Sequence, residues 1–112
     1  MIRNATKKSM ISSSHIECRN AFQKTIGLMF SRKPKTLVLI FNKEKIIPLH
    51  MLFVFFPIDV IFLDREKKVV EVKIKFRPWH FYSPKKKAQY AIELPTGTIQ
   101  KTGTQLGDLI SF

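Results

Sequence analysis

Cysteine, tryptophan, glycine and acidic residues are scarce in this chain of 112 residues, which has one Cys, one Trp, four Gly and eight Asp or Glu. The lone Cys18 cannot close an internal disulfide, which excludes a disulfide scaffold and fits a reducing compartment. The few glycines build no phosphate-cradling loop, and Gly103 and Gly107 read as turn residues. No clean apolar run approaches the roughly 20 residues of a membrane span. The longest candidate, 46–63, is interrupted by Pro48, His50, Pro57 and Asp59. Residues 1–20 are polar, with Thr6-Lys7-Lys8-Ser9 and Ser12-Ser13-Ser14 where a secretory signal would need an apolar stretch. A cytoplasmic protein is expected.

Against those few acids stand twenty lysines and arginines, so the net charge is +12 and the isoelectric point is near 10.2. The excess is spread along the chain, +3 over 1–20, +5 over 21–47 and +4 over 48–112. Such a surface attracts nucleic acid or an anionic membrane face. It equally keeps an apolar core soluble, as lysine-rich surfaces do in thermophile proteins. Charge alone does not separate the two.

Apolar residues are plentiful: they make up 45% of the chain and include ten phenylalanines, which argues for a packed core and against global disorder. We expect a single domain over 1–112. Residues 2–17 read as two short strands around the polar turn Asn4–Lys8. Phe22, Ile26 and Met29 recur at i, i+4 and i+7, predicting a short helix at 20–29 with Gln23 and Lys24 outward. Gly27 weakens its last turn and Ser31–Pro34 ends it. Thr36–Phe41 reads as a doubly buried strand, Asn42–Lys45 as a polar turn, and Met51–Phe56 as a second apolar strand. Ile58–Leu63 follows, with Pro57 at an edge or bulge. Asp64–Lys67 is a hairpin turn in which Asp64 bonds its own backbone. Alternation then puts Val70, Val72, Ile74 and Phe76 on one face and Glu71, Lys73 and Lys75 on the other. Beyond a loop at 77–87, Tyr90–Leu94 is a strand, Thr96–Thr98 opens a turn or a single helical turn carrying Ile99, and Leu109–Ile110 closes the sheet. The pattern predicts an all-β fold, a β-sandwich or jelly-roll-like partly closed barrel of roughly seven to nine strands, with one short helix in the N-terminal half.

The order of these pieces resembles a known family. Ala21-Phe22-Gln23-Lys24-Thr25-Ile26-Gly27-Leu28-Met29-Phe30 is similar to the helix and Gly-Leu-Met-Phe entry of domain of unknown function 192. The stretch from Met51 through Phe56-Pro57-Ile58-Asp59 to Phe62-Leu63-Asp64 resembles its central signature, and Arg77-Pro78-Trp79 with Tyr82-Ser83-Pro84-Lys85 resembles a loop of its archaeal branch. Ala91-Ile92-Glu93-Leu94-Pro95-Thr96-Gly97-Thr98 and Gly107-Asp108 resemble its closing elements, with Thr96 where alanine is usual. The resemblance covers nearly the whole chain. It implies a small all-β domain of jelly-roll-like topology and no established reaction.

Among candidate site residues Asp59 comes first, because a carboxylate between Ile58 and Val60 must be paired or hydrogen-bonded if buried. It reads either as a general base or ligand-binding acid, or as a cap on backbone amides near Pro57. His50 and His80 have no metal-ligand spacing, and Cys18 has no reactive-thiol motif, so no metal is assigned. The stretch Lys73–Lys87 interleaves bases with Trp79, Phe81 and Tyr82, as a platform for single strands requires. The plainer reading folds those aromatics inward and leaves the lysines solvated.

We therefore expect a non-catalytic binding module for a polar or anionic small ligand or a protein partner. Its rim would be formed by His50, Asp59, Trp79, His80 and Tyr82. The alternative is nucleic-acid binding through Lys73, Lys75, Arg77, Lys85, Lys86 and Lys87. A second alternative is a hydrolase using Asp59 with a histidine. No nucleophile, base and orienting group can be assembled from the sequence, so no catalytic residue and no cofactor are assigned.

Overall fold

The longest buried strand is the one the sequence makes apolar without a break. In the computed structural model, Ile58–Leu63 (β6) is buried at all six positions. The structure describes the backbone of residues 1–112 and every side chain except those of Ala21, Phe22 and Thr25. β6 is hydrogen-bonded on both sides, by Val69–Phe76 (β7) and Ala88–Pro95 (β9), in a five-stranded sheet. With Ile16–Cys18 (β3) and Leu37–Lys45 (β4), its order is β3-β4-β9-β6-β7, and only the β3/β4 pair is parallel.

Because side chains alternate across a strand, this sheet carries a core on each face. Ile58, Val60 and Phe62 of β6 enter one cluster with Leu37, Leu39, Ile47, Met51, Val54 and Phe76. Ile61 and Leu63 enter the other with Val38, Ile92, Leu94 and Ile99. Burying one such side chain contributes about 1.5–3 kcal/mol. The second cluster is covered by a three-stranded sheet of Ile2–Asn4 (β1), Ser9–Ser12 (β2) and Ile110–Ser111 (β10), through Ile2, Ile11 and Ile110. The first is covered by the loop 46–57 and the small pair Leu49–His50 (β5) and Phe81–Tyr82 (β8). The all-β layered fold is as expected, and no barrel closes.

The helix Ala21–Ile26 (α1) has Asn20 as N-cap, joined to Gln23 in a reciprocal capping box, and stops at Gly27, whose φ is +46°. It is shorter than the expected 20–29. Ile26 is exposed, Met29 lies beyond the helix, and the Phe22 side chain falls outside the described residues. The second helix, Thr98–Thr102 (α2), carries the buried Ile99 as expected.

Three expectations are corrected. Met51–Phe56 is not a strand: only Leu49–His50 pairs, and Val54 N–H returns to Met51 C=O at 3.2 Å in a turn. Met51 and Val54 enter the core at a spacing of three, so a run of apolar residues reports burial rather than period. Asn42–Lys45 is not a turn but the end of β4, where Lys45 pairs with Ala88 after a register shift. The clean alternation of β7 fails at two bulges. Val72 pairs with Ile61, Lys73 with Val60 and Phe76 with Ile58, so Val72 and Phe76 serve opposite cores. Lys75, at φ +54°, takes up the extra residue.

Candidate ligand-binding site

The face of β4 and β9 that turns toward α1 opens into a pocket of about 300 Å³. Leu39 and Phe41 come from alternate positions of β4, and Glu93 comes from β9, opposite Leu37 and Val60. Gly27, Leu28 and Met29, just after α1, form one wall, and Ile47, Leu49, His50, Met51 and Val54 another. A hydrogen bond from Phe30 N–H to Phe53 C=O, 2.8 Å, clips the two walls together.

Glu93 is the exception in this apolar lining. It is 7% exposed, and its Oε1 has no hydrogen-bond partner among the described residues. Burial pushes its carboxyl up to about 7, because the charged form loses hydration with no compensating bond. Orphaned buried oxygens are uncommon in folded proteins and ask for an explanation. A Cβ built on Gly27 would stand 3.7 Å from that oxygen, so the glycine wall reaches close to the acid. Cys18, buried on β3, has its thiol pushed up by burial and by the Glu93 charge.

At the mouth the chemistry reverses sign. The Lys24 ammonium lies 4.0 Å and the Lys45 ammonium 5.4 Å from the centroid of the Phe41 ring. Neither is in an ion pair among the described residues. Burial, and then the charge of Lys45, hold Lys24 below its ordinary value. The arrangement is an apolar chamber with a protonatable acid at its floor and two unneutralised cations at its rim.

Of the residues expected at a binding rim, only His50 lines this pocket, with its Nδ1 accepting Leu52 N–H at 3.2 Å. Asp59 lies on the opposite face of the sheet, fully buried. Its Oδ1 accepts Lys75 N–H at 3.0 Å and the Thr96 hydroxyl at 3.2 Å, and its Oδ2 accepts Gly97 N–H at 3.1 Å and Ile99 N–H at 3.0 Å. It caps α2 from a distance, since the N-cap Gly97 has no side chain for the task. Among the described residues no histidine is hydrogen-bonded to Asp59. The His80 ring bonds to Pro78 C=O at 2.9 Å. Tyr82 bonds to Glu71, which also accepts Lys85 and Lys86 N–H at 2.9 and 3.0 Å, so this carboxylate pins the basic loop. Lys73 sits over the Tyr82 ring at 5.0 Å, while Lys75, Arg77, Lys85, Lys86 and Lys87 are exposed.

Trp79 joins an external aromatic cluster. Phe30 stacks on Phe53 at 5.0 Å, and Trp79 meets Phe53 and Phe55 edge-on at 5.1 and 6.3 Å. Phe30, Phe53 and Trp79 all have positive φ, 61°, 58° and 66°. That conformation costs a non-glycine residue about 1–2 kcal/mol. Among the described residues no group of His, Cys, Asp or Glu is arranged to hold a metal ion, and no helix is long and apolar enough to cross a membrane.

Glu93, Lys24, Lys45 and Phe41 were not singled out from the sequence. The one available signal was an acid inside the apolar strand Ala91-Ile92-Glu93-Leu94, the same signal that drew attention to Asp59.

Fold and pocket together define a small layered β domain with a lined cavity. The family model described as uncharacterized ACR, DUF192, matches residues 4–112, and the chain belongs to that family. The UPF0127 protein PF1050 of Pyrococcus furiosus is 38% identical, over 97% of this chain and 95% of its own. A UPF0127 protein of Thermococcus gammatolerans is 38% identical, over 100% of this chain and 74% of its own. A solved Sinorhizobium meliloti structure superimposes with a TM-score of 0.88 at 18% identity, over 98% of this chain and 88% of that one. A protein of unknown function from Novosphingobium aromaticivorans does so with a TM-score of 0.81 at 17% identity, over 88% and 74%. At those identities the likeness is one of fold.

Proposed function

We propose that this chain is a non-catalytic binding module that holds a polar or anionic small ligand in the Glu93 pocket. The observation that carries the reading is the unpartnered, buried Oε1 of Glu93 turned into an apolar chamber of ligand size. A binding site tolerates such an atom because the ligand supplies its missing bond, whereas a purely structural core would pair it or replace it. A cytoplasmic location accords with the lone buried thiol. The test is a fragment set screened by amide chemical shifts. Compounds that bind should move Gly27, Leu28, Met51 and Glu93 together, and a Met29→Trp change that fills the pocket should abolish those shifts. Shifts confined to the 77–87 loop, or none from any fragment, would sink the reading.

The nucleic-acid alternative rests on one observation, Trp79 at 48% exposure two residues from the exposed Arg77. It requires that labelled single-stranded RNA bind with a steep salt dependence and weaken on Trp79→Ala. Binding indifferent to that change would leave the basic surface a solubility device.

A further inference from the structure

We infer that the pocket takes a small organic acid with an apolar body, its carboxylate held at the rim by Lys24 and Lys45 and a hydroxyl or carbonyl at its inner end bonded to Glu93. This rests on the pocket reading above and narrows it to a ligand class. The rim supplies two ammonium groups over one aromatic ring, without carboxylate partners among the described residues. An anion seated there neutralises both and relieves their mutual repulsion. The floor supplies one carboxyl with a free oxygen, and the walls between, Leu39, Ile47, Met51 and Val54, offer nothing polar from their side chains. A ligand satisfying all three zones is charged at one end, greasy in the middle and hydrogen-bonding at the other. At about 300 Å³ the pocket is at the small end of ligand sites, which fits a single-ring or short-chain acid.

The sign of the floor then matters. A protonated Glu93 donates a hydrogen bond and leaves the pocket cationic, while an ionised one repels an incoming anion. The titratable groups around the same pocket are Lys24 from α1, Lys45 from β4 and His50 from β5, and Cys18 of β3 feels the Glu93 charge. Among the described residues Glu93 is the only carboxyl in the lining. Because burial holds Glu93 near 7, anion affinity should fall as the pH rises through that value.

The test uses 4-hydroxybenzoate, benzoate, 4-hydroxybenzyl alcohol and tyramine at millimolar concentration, read by amide shifts at the pocket. The expected order is 4-hydroxybenzoate tightest, benzoate about tenfold weaker for want of the inner bond, and the alcohol and amine weaker still. Lys24→Gln or Lys45→Gln should each weaken 4-hydroxybenzoate about tenfold. Both side chains are at the rim, so the variants stay folded. Glu93→Gln should abolish the loss of affinity above pH 7, and His50→Gln should leave that loss intact. If the alcohol or tyramine binds as well as the acid, the anion class is overturned while the pocket stands. Silence from all four overturns the inference, and the wider fragment set then decides separately whether the pocket binds anything.

Discussion

Asp59 accepts the backbone amide of Lys75 at 3.0 Å, and Lys75 itself is held at φ +54°, so a buried carboxylate fixes a left-handed kink in the neighbouring strand. The same carboxylate reaches the first turn of α2 through Gly97 and Ile99. One side chain thereby couples a bulge in β7 to the helix that follows β9.

Replacing Asp59 with Asn should be severe. The amide group of Asn would point N–H at Gly97 and Ile99 N–H, or leave Lys75 and Thr96 without an acceptor. We expect a loss of about 3 kcal/mol or more in urea unfolding. A loss below about 0.5 kcal/mol, the level of an inert surface change, would refute the coupling.

Lys75→Gly should do the reverse. Glycine keeps the amide that Asp59 accepts and removes the Cβ penalty of positive φ, a relief of about 1–2 kcal/mol partly offset by unfolded-chain entropy. A net gain of about 0.5–1 kcal/mol is expected, and Lys75→Val should lose stability instead. Equal midpoints for glycine and valine would show the kink to be unstrained.

Glu93 makes stability fall with rising pH. Its carboxyl has a value near 4.5 in the unfolded chain and about 7 when buried, so the folded state binds more protons between those values. Its contribution is neutral below about 4.5, turns against folding as the pH rises to 7, and is fully unfavourable above. The span corresponds to roughly 3 kcal/mol. Glu93→Gln should match the wild type at about pH 4 and exceed it at pH 8. Parallel stability curves for the two proteins across this range would contradict the assignment.

Tyr82 should resist ionisation. Burial, and then its bond to Glu71 and the charge of that carboxylate, push its phenol up to about 12. Ultraviolet titration should show the Tyr82 phenol ionising above the usual tyrosine range, and Glu71→Gln should bring it back toward that range. A Tyr82 titration that Glu71→Gln leaves unmoved would refute the bond.

The strands that the sequence made plain are those buried in the interior of the five-stranded sheet. β6 and β9 show long apolar stretches, and Asp64 bonds Glu66 and Lys68 N–H in its turn as its position suggested. The stretch 51–56 deceived because apolar loops that plug a core look like strands until the spacing of Met51 and Val54 is known. The two buried acids are the sharper lesson. Asp59 and Glu93 both sit between apolar neighbours in a strand and are locally alike. What separates them is that Asp59 meets amides presented by a bulge and a helix start, while Glu93 faces a chamber. Neither bulge geometry nor facing partner is written in the local residues.

The position of β9 between β4 and β6 has a consequence for synthesis. As the nascent chain leaves the ribosome, β4 and β6 emerge first, yet neither is the other's neighbour. Both present open, highly apolar edges until some thirty residues after β6, when β9 arrives to bridge them. The decisive pairing is late and distant in sequence, which slows folding and prolongs exposure to wrong partners. A chaperone that shelters apolar strands would act in that interval.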